Sequence, residues 1–140
     1  NRGHLRKNWR NLNLLSQNYF LLAEQWSETL KKRINVVGAV LTRDNTILAA
    51  QRSSTMSLSG MWEFPGGKIE PHESPKEALL RELKEELLCT AEIGSLVQTT
   101  EHEYEFGIVI LTTFYCSLTG DEPKLTEHSE IRWIQIADLD

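Results

Sequence analysis

Three glutamates on a predicted helix are the residues of this chain best suited to metal chemistry. Glu82, Glu85 and Glu86 follow an i, i+3, i+4 spacing, so on an α-helix their carboxylates project from one patch of surface. Three anions so close repel one another unless a cation lies among them. Hard divalent ions such as Mg²⁺ or Mn²⁺ prefer carboxylate oxygens and keep positions open for water and phosphate. The spacing therefore favours a divalent cation site, although glutamate runs on helices are more often solvated surface.

The segment that carries these glutamates has the start signals of a helix. Ser74 suits the N-cap, Pro75 suits the first helical position, and Glu77 completes a capping box. Because neighbours at i and i+1 do not face each other on a helix, we expect Arg81 to reach around and orient a carboxylate. Leucines at helical spacing predict the face that packs against the domain: Leu79, Leu80, Leu83 and Leu87.

A glycine pair precedes this helix and belongs to a longer pattern. Gly66 and Gly67 are expected to form a turn whose backbone can approach a metal or phosphate closely. From Gly67 the chain has glycine, five residues, Glu, seven residues, Arg-Glu, an aliphatic residue, one further residue and Glu-Glu. Many fixed positions at fixed spacing rarely coincide by chance. The positions are Gly67, Glu73, Arg81, Glu82, Leu83, Glu85 and Glu86.

This pattern resembles the signature box of the Nudix hydrolases, enzymes that cleave nucleoside diphosphates linked to another moiety. The likeness extends over residues 34–140, which read like the MutT-type branch with its nucleoside triphosphate pyrophosphohydrolases. Outside the box, the likeness lies in residues 50–52, in residues 62–68, and in Glu127, which is followed six residues later by Trp133. The resemblance implies an α/β fold, a mixed β-sheet sandwiched by helices.

The resemblance also implies a metal site. Glu82, Glu85 and Glu86 would be catalytic residues that hold or orient Mg²⁺ or Mn²⁺, and the carbonyl oxygen of Gly66 would be a further ligand. Glu127, on a loop brought back over the site, would be another ligand or the base that activates water. No histidine is assigned to metal.

A second group of matching residues would act beside the metal. Arg52 matches a substrate-contacting arginine, Lys68 matches a lysine close to the phosphates, and Gly67 belongs to the same substrate-binding loop. Arg81 belongs with the catalytic carboxylates. Leu88 stands where the family usually has glycine; because a left-handed conformation costs leucine about 1 kcal/mol, we expect a changed helix exit.

The function implied is metal-dependent hydrolysis of a nucleoside triphosphate to a nucleoside monophosphate and pyrophosphate. An oxidised or modified nucleotide, such as 8-oxo-dGTP or a CTP-type substrate, is expected, and the sequence leaves the base open. One alternative is a Nudix hydrolase that acts on another nucleoside diphosphate derivative. The other is a non-catalytic Nudix-like binding module of a larger assembly. The retained box glutamates favour catalysis.

Charge divides the chain into two parts. Residues 1–33 hold seven Lys or Arg and two Glu, whereas residues 34–140 hold eight basic and eighteen acidic residues. A catalytic domain this acidic is not expected to bind nucleic-acid backbone on its own. The basic leader is predicted to be an amphipathic helix that contacts a partner chain or a fused domain. Its apolar positions are Leu12, Leu15, Tyr19, Leu22, Trp26 and Leu30.

The composition predicts where the protein is located. No apolar run approaches the ~20 residues of a membrane span, and two cysteines, Cys89 and Cys116, are too few for a disulfide framework, so a reducing cytoplasm is expected. Because the chain does not begin with Met, we expect a processed product or a piece of a longer protein.

Strands are predicted at residues 34–42, 46–51, 62–64, 91–105, 107–118 and 131–136. A turn is predicted at Asp44-Asn45, and loops are predicted at 53–60 and 120–129.

Overall fold

The computed structural model describes residues 31–138 of the chain. The helix predicted for the basic leader, and the partner contact expected of it, lie outside these residues. The described elements are β1 (Arg33–Arg43), β2 (Thr46–Gln51), β3 (Trp62–Glu63), β4 (Gly66–Lys68), α1 (Pro75–Leu87), β5 (Ala91–Tyr104), β6 (Gly107–Leu118), β7 (Glu130–Gln135) and a 3₁₀ turn (Ile136–Asp138).

The strands form a mixed sheet in which β1 and β6 are central. These two run parallel along most of their length, while β4 pairs antiparallel with β1 and β5 pairs antiparallel with β6. A second antiparallel group, β3, β2 and β7, is joined to β1 through the β1–β2 hairpin. Parallel neighbours need a long crossover connection. The segment between β1 and β6 contains β4 and α1, so the crossover carries the glutamate helix.

The predicted mixed sheet of an α/β fold is confirmed, but residues 31–138 contain one α-helix packed on it and not the predicted sandwich of helices. The Asp44-Asn45 turn is also confirmed, because both residues have positive φ, 49° and 62°. Two such residues make the type of tight turn that matches the twist of a hairpin. Val37, Gly67 and their neighbours in β1 and β4 pair directly, which brings the residues before the helix onto the centre of the sheet.

One face of α1 makes the core with β1 and β6. Leu79, Leu83 and Leu87 are fully buried, and burial of each contributes roughly 2 kcal/mol. Leu80 was expected on the same face, but it is 43% exposed and Ala78 is buried instead. A helix turns about 100° per residue, so a residue directly after Leu79 points away from the stripe.

Gly66 and Gly67 lie in strand β4, so the prediction of a turn at this pair is wrong. The backbone is extended and pairs with Val37 and Gly38 of β1. A Cβ atom at Gly66 would lie 1.9 Å from the carbonyl oxygen of Val37, which no side chain can tolerate. Glycine is needed here for close approach of two backbones, and the Pro-Gly-Gly sequence resembles a turn only because glycine serves both purposes.

Both ends of α1 are capped. The Ser74 side chain accepts a hydrogen bond from the Glu77 N–H at 3.1 Å, as the capping box predicts. At the other end Leu88 takes the left-handed conformation, with φ 52° and ψ 35°, and the Cys89 N–H donates to the Leu83 carbonyl. The expected change of helix exit is therefore wrong: leucine adopts the same left-handed geometry that glycine favours.

Replacing Leu88 with glycine should raise the free energy of unfolding by about 0.5 to 1 kcal/mol, because the left-handed strain disappears. Leu88 is half exposed, so little burial is lost. Urea unfolding with an unchanged m-value measures the gain. Leu80→Gly is the matched control: it is similarly exposed but lies inside the helix, where glycine should cost about 1 kcal/mol. Equal losses in both variants would contradict the assignment.

Both cysteines are buried and free. Burial raises the pKa of the Cys116 thiol to about 12, so this thiol is protonated and inert at neutral pH. Within residues 31–138 no helix has the length and apolarity that crossing a membrane demands. The expected cytoplasmic location stays a prediction.

Candidate active site

Arg81 organises the acidic face of α1. Its guanidinium donates to both carboxylate oxygens of Glu73, at 2.8 and 2.7 Å. It also donates to Glu82 at 2.9 Å, to Glu85 at 3.3 Å and to the carbonyl oxygen of Lys68 at 3.0 Å. One cation therefore ties two helical glutamates to the segment that precedes the helix.

Glu73 is the fixed anchor of this network. Hydrogen bonds from Arg81 lower the pKa of the Glu73 carboxyl to about 2, and the Glu70 N–H adds to the effect. The hydrogen bonds to Glu73 in turn raise the pKa of Arg81 above its usual range. Both groups stay ionised across the whole neutral range, so the position of Arg81 does not depend on pH.

Glu86 lies apart from Arg81, on the side of the helix that faces Gly66. Its carboxylate accepts a long hydrogen bond, 3.4 Å, from the Gly66 N–H. Burial, together with the negative charge of Glu82, raises the pKa of Glu86 to about 7, and Glu63 and Glu127 contribute smaller effects of the same sign. Several carboxylates are thus concentrated around one half-buried group.

Glu82 lies directly beneath Gly67. A Cβ atom at Gly67 would be 2.4 Å from the carboxyl carbon of Glu82, so strand β4 rests on the helical carboxylate. Burial raises the pKa of Glu82, and the hydrogen bond from Arg81 opposes this shift. The second glycine of the pair therefore makes room for a carboxylate that sits between strand and helix.

The loop between β6 and β7 returns to this end of the helix. The Lys124 N–H donates to the Leu87 carbonyl at 2.8 Å, and the Thr126 hydroxyl donates to the Glu86 carbonyl. Glu127 follows on the same loop; it is exposed, and its charge contributes to the raised pKa of Glu86. The loop that was expected to come back over the site thus reaches Glu86.

A cleft of about 300 Å³ opens beside Glu86, between the glycine strand and the exposed face of β1 and β6. This is the lower end of the volumes that small ligands occupy in proteins. Its apolar side chains include Val36, Phe64, Val109 and Leu111, its charged side chains are Arg52, Glu63 and Glu86, and Gly66 and Gly67 contribute backbone. The cleft therefore brings apolar side chains together with two carboxylates and one guanidinium.

Of the aromatic residues near this region, Phe64 alone is among those that line the cleft. The Arg132 guanidinium lies 4.9 Å from the centre of the Trp62 ring. Phe106 stacks on Tyr104, with ring centres 5.0 Å apart. The rings of Trp62, Tyr104 and Phe106 thus contact other side chains of the protein and are not among those that line the cleft.

One polar array in the cleft wall was not predicted from the sequence. Both oxygens of Glu63 accept hydrogen bonds from Arg52, at 3.1 and 2.9 Å, and one of them also contacts Nε2 of His128 at 2.9 Å. Arg52 also donates to the carbonyl and hydroxyl oxygens of Ser57. The sequence predicts Arg52 as a substrate contact, whereas its partners are marked only by position: Glu63 flanks the glycine pair and His128 adjoins Glu127.

The family model of the NUDIX domain matches residues 32–140 of the chain. The chain belongs to the Nudix family. A CTP pyrophosphohydrolase of Escherichia coli K12 is 39% identical over 102 residues, which cover 73% of this chain and 76% of that protein. An 8-oxo-dGTP diphosphatase of Proteus vulgaris is 36% identical over 98 residues, 69% of this chain and 86% of that protein.

Solved structures agree with the family model. The solution structure of the Nudix hydrolase MutT from methicillin-resistant Staphylococcus aureus 252 is 57% identical, with a TM-score of 0.64 over 77% of this chain and 83% of that one. The chain is accordingly a Nudix hydrolase, as the resemblance in the sequence predicted.

Nudix hydrolases generally need divalent metal ions such as Mg²⁺ or Mn²⁺. Among residues 31–138 no three acidic, cysteine or histidine side chains already converge as ligands, since Arg81 draws Glu82 and Glu85 to itself. The donor set nevertheless fits a hard cation. Glu86 is surrounded by the charges of Glu82 and Glu127, and its described contacts include no basic side chain. Oxygen ligands of this kind are those that Mg²⁺ and Mn²⁺ prefer.

The raised pKa of Glu86 predicts an unusual pH dependence of stability in the metal-free Nudix hydrolase. The pKa rises from 4.5 to about 7 on folding, so the folded protein binds the proton more tightly than the unfolded chain. The free energy of unfolding should therefore fall as pH rises from 5 to 8. We expect a loss of about 1 to 2 kcal/mol, allowing for partial exposure of the group.

Urea unfolding in EDTA at pH 5 and pH 8 measures this effect. Glu73, with its pKa near 2, does not titrate in this window, and the shift of Glu82 acts in the same direction. In Glu86→Gln the free energy of unfolding should fall much less between pH 5 and pH 8 than it does in the wild type. An unchanged fall in that variant, or a wild-type protein that becomes more stable towards pH 8, would contradict the expectation.

Proposed function

We propose that this Nudix hydrolase cleaves nucleoside triphosphates, in the presence of Mg²⁺ or Mn²⁺, to nucleoside monophosphates and pyrophosphate. The observation that carries the proposal is that Glu86 lines a cleft of about 300 Å³ together with apolar side chains. A nucleoside against Phe64 and Leu111 would have its phosphates at the carboxylates. The named relatives, a CTP pyrophosphohydrolase and an 8-oxo-dGTP diphosphatase, support a modified or CTP-type nucleotide as substrate.

The carboxylates would hold the cation. Glu82, Glu85 and Glu86 on α1, with Glu127 and the carbonyl oxygen of Gly66, are the proposed ligands. A bound divalent cation would neutralise phosphate oxygens and lower the pKa of water. Arg81 would keep Glu82 and Glu85 in position through the contacts at 2.9 and 3.3 Å, while Gly67 leaves the space that Glu82 occupies.

A carboxylate would also accept the proton of the attacking water. The candidates are Glu127, which is exposed on the loop that reaches Glu86, and Glu86 itself, which has a pKa near 7. A base works best when its pKa is close to the working pH. Glu86 meets that requirement better than Glu73, whose carboxylate is held ionised by Arg81.

Substrate contacts would come from two cationic residues with different surroundings. Arg52 is paired with Glu63 and Ser57 in the cleft wall, so its charge is already balanced and it would contact the nucleoside. Lys68 is exposed next to Gly67 on strand β4, and it would pair with phosphate oxygens as a mobile point charge.

A nucleotide panel with Mg²⁺ tests the proposed function. Matched pairs such as 8-oxo-dGTP against dGTP, and CTP against UTP, report the base preference, and ADP-ribose with a dinucleoside polyphosphate covers the other diphosphates. The expected products are the monophosphate and pyrophosphate from at least one triphosphate. Hydrolysis confined to the other diphosphates would favour the first alternative. No release from any nucleotide, in a folded sample that binds Mn²⁺, would favour a binding module.

A further inference from the structure

His128 is buried next to Glu63, which lines the substrate cleft, although His128 follows directly after the exposed Glu127. Its side chain is 1% exposed, and Nε2 lies 2.9 Å from an oxygen of Glu63. Glu63 itself lines the cleft and accepts two hydrogen bonds from Arg52. The imidazole is thus the innermost member of an array whose other members face the ligand space.

The hydrogen bonds assign the tautomer of this imidazole. A carboxylate only accepts, so the contact with Glu63 requires a proton on Nε2. Nδ1 is buried without a hydrogen-bond partner among the described residues. An unpaired lone pair is tolerated more readily than an unpaired N–H. In the neutral imidazole, both nitrogens therefore favour the tautomer with its proton on Nε2.

Packing alone does not account for histidine at this position. An apolar side chain would fill the same space without leaving a buried nitrogen unpaired. The loop is anchored independently, because the Ser129 N–H donates to the Gln51 carbonyl at 3.0 Å and the Lys124 N–H donates to the Leu87 carbonyl at 2.8 Å. What the imidazole adds to these anchors is one donor aimed at Glu63.

That donor limits where the Glu63 carboxylate can lie. Arg52 is a long side chain, and the loop at Ser57 to which it donates is itself on the surface. His128 has short reach and sits in a closed environment, so its hydrogen bond fixes one oxygen of Glu63 relative to strand β7 and the sheet. Glu63 in turn fixes the guanidinium of Arg52.

We propose that His128 is a positioning residue for the substrate cleft. It holds Glu63, and through Glu63 it holds Arg52, in the geometry that receives the substrate. This inference rests on the proposed function, since it assigns the nucleoside to this cleft. It concerns substrate binding, because Arg52 and Glu63 line the cleft and His128 contacts Glu63 from a buried position.

His128→Met and His128→Gln are the matched test variants. The two side chains have the same length, and only glutamine carries a donor that can occupy the place of Nε2. With the triphosphate that the wild type hydrolyses best, His128→Met should raise KM about 10-fold with kcat within about 3-fold. His128→Gln should restore KM to within about 3-fold of wild type. Equal KM values in the two variants would overturn the proposal.

A double-mutant cycle with Glu63→Gln separates positioning from general destabilisation. If His128 acts through Glu63, His128→Met should raise KM much less in the Glu63→Gln background than in the wild type. A purely structural role predicts the same fold-change in both backgrounds together with a lowered Tm. That additive result would count against the proposal.

A spectroscopic measurement distinguishes failure of this inference from failure of the proposed function. Long-range ¹H–¹⁵N correlation spectra of the free protein report which ring nitrogen of His128 carries the proton. A proton on Nε2, with a changed signal in Glu63→Gln, supports the contact even if no triphosphate is hydrolysed. A proton on Nδ1 alone overturns the inference, whatever the activity of the protein. Because the spectra are recorded on the wild type and on Glu63→Gln, this test remains valid if His128→Met does not fold.

Discussion

Glu86→Gln is expected to lower kcat at least about 10³-fold, since it removes a charge from the group proposed to hold the cation and the phosphates. Glu86 is the helical carboxylate that faces the cleft and Gly66 rather than Arg81. Glutamine has nearly the same shape, so the fold should survive. Steady-state kinetics at saturating Mg²⁺, with circular dichroism of the same sample, measure both properties.

The same substitution should stabilise the metal-free protein at pH 8. The half-buried carboxylate is repelled by Glu82, Glu63 and Glu127, and the neutral amide is not. Lost activity together with gained stability is typical of a residue kept for function.

Glu77→Gln is the control. It lies in the first turn of the same helix, is exposed, and can still complete a capping box, so kcat should stay within about 2-fold of wild type. Near-normal turnover in Glu86→Gln would remove this residue from the active site.

Gly67→Ala has the second largest expected effect. Its new methyl group would lie 2.4 Å from the carboxyl carbon of Glu82, and that carboxylate is the far end of a flexible side chain. Glu82 should therefore move while the backbone stays in place. A displacement on the order of 1 Å in a catalytic group costs about 10²-fold in rate, and we expect a loss of that size in kcat with little change in Tm.

Gly66→Ala is the matched contrast, because the two glycines are neighbours on one strand. Its methyl group would meet the backbone carbonyl of Val37 at 1.9 Å, and the pairing of β4 with β1 would have to open. We expect a loss of at least about 2 kcal/mol in the free energy of unfolding.

A coupling measurement sharpens the second prediction. In a Glu82→Asp background the carboxylate is one methylene shorter, so the further loss caused by Gly67→Ala should be smaller. Strictly additive losses would mean that Gly67 acts on some other group.

The helix and the β1–β2 hairpin could be predicted because their signals are local. Ser74 and Pro75 fix where the helix starts, and Asp44-Asn45 fixes the turn through side chains that tolerate positive φ. The spacing of the glutamates needs only the geometry of a helix. These features depend on neighbours within one or two turns of chain.

The remaining features depend on contacts between distant segments. Gly66 is glycine because β1 lies against it, and Leu88 keeps the left-handed conformation because the chain must turn there; neither cause is visible in the local sequence. The contact between Glu63 and His128 joins residues that are 65 positions apart. Pairing through the sheet brings them together, and a single sequence without its fold does not reveal such a pairing.

Paramagnetic broadening by Mn²⁺ is the measurement that tests the proposed active site most directly. In ¹H–¹⁵N spectra of the ¹⁵N-labelled protein, substoichiometric Mn²⁺ should first broaden the amide signals of Gly66, Gly67 and Glu86, since the ion would be held where strand β4 meets the helix. If the first signals to disappear belong to the acidic β5–β6 hairpin, at Glu101, Glu103 and Glu105, the cation does not bind at the signature helix.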